Sequence, residues 1–113
     1  MDDDRPTKER AEIPEVAPVT LGQVRYEAPP WGKVRGLGQN GGIVAAFDTL
    51  TGQELWVLKV YETRYDGEME DDKQDVFIAS MVADGGQGLR VVAERGQGVW
   101  RVDLVHRTSV RVA

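Results

Sequence analysis

From Val19 onward, apolar and polar positions alternate with a period of two, and no stretch shows the spacing of an amphipathic helix. Val19, Leu21, Val24 and Tyr26 share one parity around Gly22, which reads as a strand with a bulge or close backbone approach at the glycine. Pro29 and Pro30 stop it. Residues 43–47 are apolar on both parities, the pattern of a strand covered on both sides, and a tight polar turn leads from them into a second apolar run at 55–61. Residues 75–83 set Phe77, Ala79 and Met81 against Val76, Ile78 and Val82, again a strand buried on two faces. Residues 89–94 and 99–105 flank Arg95 to Gly98 as a hairpin, with Trp100, Val102 and Leu104 inward and Arg101 and Asp103 outward. A last short strand at 108–112 would turn Val110 and Val112 inward and Arg111 outward. The pattern predicts an all-β fold, a small antiparallel barrel or sandwich of sequential hairpins with about six to eight strands. Residues 1–18, with Pro6, Pro14 and Pro18 among mixed charges, read as a disordered arm before a single β domain at 19–113.

The turn between the two central strands has its own chemistry. Asp48 is placed to accept hydrogen bonds from backbone just ahead of it, and Gly52 supplies the positive φ that closes the turn. The string from Ala46 through Asp48, Thr51 and Gly52 to Trp56 resembles the repeat of pyrroloquinoline-quinone-type β-propeller proteins, an Ala-x-Asp-x-x-Thr-Gly-x-x-x-Trp pattern. The resemblance implies a hairpin with Trp56 as a core or interface anchor. It covers about a tenth of the chain and carries no quinone-binding residues, so no cofactor is expected. At roughly 40 residues for each blade, 113 residues cannot close a propeller alone.

The composition, 41% hydrophobic and 29% charged, is that of a globular domain. No apolar run approaches the roughly 20 residues of a membrane span, and Asp2, Asp3 and Asp4 stand where a secretory signal would be basic, so a soluble, cytoplasmic protein is expected. The absence of cysteine excludes disulfides, thiolate catalysis and cysteine-ligated metals. A net charge of -5 argues against wholesale nucleic-acid binding, which needs a clustered positive surface.

The charge is unevenly placed. Residues 62–75 hold seven acids and two bases, while the chain outside this stretch and the arm is mildly basic. Asp66, Glu68, Glu70 and Asp72 alternate as ligands of a hard cation such as Ca²⁺ could, but Gly67 does not stand where an EF-hand loop needs its glycine, and no glutamate closes such a loop. A solvated loop that keeps sheet edges apart is the competing reading. Gly36, Gly38 and Gly41 match a phosphate-cradle spacing, yet no helix follows, so 36–42 reads as a mobile connection.

Four further residues are candidates for binding. Trp31, beside the proline pair, could grip a peptide or pack over one end of the core. Arg90, Arg101 and Arg107 belong, with Arg95, Arg111 and an interleaved Trp100, to a basic region in the last quarter, but Arg101 and Trp100 have opposite parity and should not share a face. His106 lacks a nucleophile, metal or orienting partner at any recognisable spacing, so no catalytic constellation is expected. The sequence therefore points to a non-enzymatic binding or assembly module, an adaptor or a subunit of a larger complex that binds a protein partner or its own copies. The alternative is a ligand- or Ca²⁺-binding accessory protein using the acidic loop.

Overall fold

A computed structural model describes residues 13–65, 67 and 74–113. The first part of the arm, and Asp66, Glu68, Glu70 and Asp72, lie outside these residues. The chain is all-β. Strands β1 (Val19–Leu21), β2 (Val24–Glu27), β3 (Ile43–Asp48) and β4 (Glu54–Lys59) form one antiparallel sheet in sequence order. Strands β5 (Ile78–Ala83), β6 (Gly88–Ala93), β7 (Val99–Asp103) and β8 (Thr108–Arg111) form a second. The two sheets are separate, not a closed barrel, and no helix among the described residues is long and apolar enough to cross a membrane.

Each sheet turns one face toward a shared hydrophobic cluster. Tyr26, Val44 and Ala46 come from the first sheet, and Ile78, Met81, Leu89, Val91 and Val102 from the second. Val16, ahead of β1, packs against the same cluster. The first sheet is also covered on its other face, where Ile43 and Ala45 have no exposed surface. Gly32 approaches Ile43 there so closely that a Cβ would crowd its side chain at 3.2 Å. The apolar double parity of β3 is thus explained.

Three local readings change. Residues 19–26 form a hairpin, not one bulged strand, because Gly22 at φ +64° reverses the chain and pairs Leu21 with Val24 and Val19 with Tyr26. The four side chains keep their common face across the turn.

In β5 the register shifts between Ile78 and Ser80, so Ile78 and Met81, three apart, both reach the core. A β-bulge has this effect, since one extra residue flips the alternation. Val82 is correspondingly exposed rather than buried.

In β8 the pairing of Trp100 with Arg111 reverses the expected parity, leaving Val110 63% exposed while the Arg111 guanidinium lies 5.4 Å from the Trp100 ring centre. A long cationic side chain can cover an indole and still keep its charge in water.

Of the segment at 36–42, read from the sequence as a mobile connection, residues 39–42 are packed while Gly36 and Gly38 are exposed. Gln39 is 1% exposed, and its amide nitrogen donates to the carbonyls of Gly41 (2.9 Å) and Tyr61 (2.7 Å). Its amide oxygen accepts from the Thr63 backbone N–H at 2.8 Å. A Cβ on Gly41 would collide with the Val76 carbonyl, and one on Gly42, at φ +73°, would sit 2.8 Å from the Tyr61 ring. Gly36, at φ +79°, has open space around it. Gly41→Ala should therefore cost about 3 kcal/mol and Gly36→Ala about 1 kcal/mol, read from urea unfolding midpoints. Equal losses would show that the Val76 backbone yields to the added methyl and that the close approach does not set the requirement at Gly41.

Candidate functional site

The central turn behaves as its residues dictate. The Asp48 carboxylate accepts from the Leu50 and Thr51 backbone N–H groups at 2.8 and 3.3 Å, and Gly52 adopts φ +77°. Trp56 faces the shared cluster and lies 5.9 Å from the Tyr26 ring.

Of the arginines singled out by sequence, the structure brings two together and separates the third. Arg90 on β6 and Arg101 on β7 are direct cross-strand partners, flanked in the same row by Val82 on β5 and Val110 on β8. All four side chains are exposed. Arg101 pairs with Asp84 at 3.1 Å, whereas Arg90 makes no ion pair with a described residue. Two like charges directly opposite each other on a sheet face are destabilising, and here Asp84 offsets only the Arg101 side of the pair. Arg107 lies elsewhere, in the β7–β8 turn at φ +57°, with its guanidinium 5.5 Å from the Trp56 ring centre. Trp31 carries the guanidinium of Arg35 at 4.5 Å, and Arg35 also pairs with Glu54 at 2.6 Å, tying the segment after β2 to β4. The hydrogen bond to Glu54 raises the pKa of Arg35 further.

A second feature escaped sequence reasoning. Where β4 leaves the first sheet, a cleft of about 270 Å³ opens against the second, with Tyr61, Thr63, Arg64, Gln97, Trp100 and Arg111 in its wall. Tyr61 and Trp100 stack across the junction with ring centres 4.4 Å apart. The Tyr61 hydroxyl donates to the Val76 carbonyl at 2.7 Å. Burial, and secondarily the charge of Glu94, push its pKa well above the ordinary phenol value, so it is neutral at all physiological pH. The Ser109 hydroxyl donates to the Val60 carbonyl at 2.8 Å, a second tie between the sheets. No periodic pattern could have signalled this cleft, because its residues come from loops and strand ends far apart in sequence.

Below the cleft, the Asp75 side chain is buried and receives hydrogen bonds from the Asn40 amide (3.2 Å) and the Tyr65 hydroxyl, while Arg95 donates to its backbone carbonyl. This satisfied carboxylate holds the return of the chain toward β5 and is structural. His106 sits on the surface with its ring nitrogen 2.9 Å from Asp103. No group of three or more potential metal ligands occurs among the described residues. A scan of protein-family models, a search of curated proteins and a search of solved structures each returned no match.

Two substitutions test the local physics. Among the described residues, the Thr63 hydroxyl oxygen is the one buried side-chain polar atom without a hydrogen-bond partner, so Thr63→Val should raise stability by about 1 kcal/mol in denaturant titration. The His106 side chain, and then its backbone N–H, hold the Asp103 carboxyl below the usual aspartate range. The contribution of that pair is present above the unfolded-state pKa and is lost as the pH falls through the lowered folded value. His106→Ala should accordingly move the NMR titration midpoint of Asp103 upward, and an unmoved midpoint would refute the assignment.

Proposed function

We propose that this protein is a non-enzymatic binding and assembly module, soluble and cytoplasmic, whose docking surface is the exposed face of the second sheet centred on Arg90 and Arg101. The shared cluster supports taking the two meanders as a sandwich, which presents that face outward. The observation that carries the reading is the cross-strand arginine pair set between exposed valines. Arg101 is held by Asp84, but Arg90 opposite it has no ion-pair partner among the described residues, and an interface combines arginine and apolar contact in this way.

The occupant is a second copy of the same chain. Its charge is complementary, since residues 62–75 carry a net -5 while the body bearing the arginines is basic. Opposite charges concentrated on one chain favour association between copies at low ionic strength, and salt weakens it.

Sedimentation velocity at low and high salt tests the proposal. The wild type should associate at low salt and dissociate at high salt. Arg90→Glu, at an exposed position, should weaken association by about tenfold, equivalent to about 1.4 kcal/mol, with an unchanged circular-dichroism spectrum. A single monomeric species at every ionic strength would overturn self-association and leave an unrelated acidic protein as the occupant to seek.

A further inference from the structure

The cleft between the sheets lies apart from the arginine row and has a different composition. Two of its walls are arginines from unrelated parts of the chain, Arg64 just after β4 and Arg111 at the end of β8. Arg64 is exposed and makes no ion pair with a described residue. Arg111 is held in place from two sides. Its Nε donates to the Ala113 carbonyl at 2.8 Å, and its guanidinium lies against the Trp100 ring. Trp100 is itself fixed, stacked on Tyr61 and seated over Gly98, where a Cβ would meet the ring at 2.7 Å.

One cation is therefore preorganised at the wall of a concavity, and a second stands at the same wall with no ion-pair partner among the described residues. Glu62 is the carboxylate of the lining, and it is drawn to Lys59 at 3.2 Å and is 76% exposed. The Tyr61 phenol stays neutral, so it adds no negative charge. Gln97 contributes a neutral amide donor. Guanidinium groups match planar or tetrahedral oxyanions through paired N–H donors, and a site that holds one of them rigid loses less entropy on binding.

The geometry points to an oxyanion-binding site in this cleft, in which Arg64 and Arg111 together clasp a carboxylate or phosphoryl group of a small molecule. The size sets the class of ligand. A volume of about 270 Å³ is at the lower end of ligand pockets and holds a small acid or the anionic end of a larger molecule. A cleft that also joins two sheets stiffens when filled, so the anion should stabilise the fold as well.

The test is an NMR titration with inorganic phosphate and, separately, with succinate, at constant ionic strength against sodium chloride. Saturable shifts of the Trp100 indole N–H and the Gln97 carboxamide are expected with at least one of the two anions, and the tighter probe identifies phosphoryl or carboxylate chemistry. Arg64→Gln and Arg111→Gln should each weaken binding by about tenfold, while Arg90→Gln, on the outer face of the second sheet, should leave it unchanged. Shifts that never saturate, or that match those of chloride, would overturn the site. So would equal affinity in both cleft variants when their amide spectra show an intact fold. Because Arg90 does not line the cleft, anion binding that persists in Arg90→Gln separates this site from the self-association surface.

Discussion

The backbone approach at Gly41 and Gly42 is the constraint on which the two sheets depend. The Val76 carbonyl occupies the space a side chain on Gly41 would need, and the Tyr61 ring occupies that beside Gly42. This places the start of β3, the exit of β4 and the entry to β5 within hydrogen-bonding reach. Gln39 completes the junction by donating to two backbone carbonyls and accepting from one backbone N–H. A buried amide with all three bonds made specifies one arrangement, since any slip leaves polar groups unpaired. The hydrophobic cluster between the sheets supplies the driving force, and the junction fixes their relation.

Aromatic rings and cations are paired throughout the molecule. Each of the three tryptophans has an arginine over or beside its ring: Arg35 at Trp31, Arg107 at Trp56 and Arg111 at Trp100. Such contacts contribute modestly at exposed sites, about 0.5–1 kcal/mol each, but they settle where the guanidinium groups stand. Arginines not used in this way become conspicuous. Arg90 is left on the outer sheet face and Arg64 at the cleft, and these are the residues on which the two proposed binding activities turn. Among the described residues Arg90 and Arg64 form no ion pair while Arg111 both covers a ring and lines the cleft, a distribution that the net charge of -5 conceals.

The sequence by itself determined the all-β class, the positions of most strands and the chemistry of the central turn. Period-two alternation and turn residues act locally, so Asp48, Thr51 and Gly52 specify their turn whatever surrounds it. It also separated Arg101 from Trp100 correctly, because parity within one strand survives folding. Tertiary structure decided what depends on pairing across the chain. The bulge in β5 exchanged the buried and exposed sides of Val82, and the register of β8 on β7 placed Arg111, not Val110, beside the core tryptophan. The segment at 36–42 read as a mere connection because Gly41 and Gly42 serve partners at Val76 and Tyr61, which local sequence cannot name. The cleft was illegible for the same reason: Arg64 and Arg111 stand 47 residues apart and meet only because two sheets share one core.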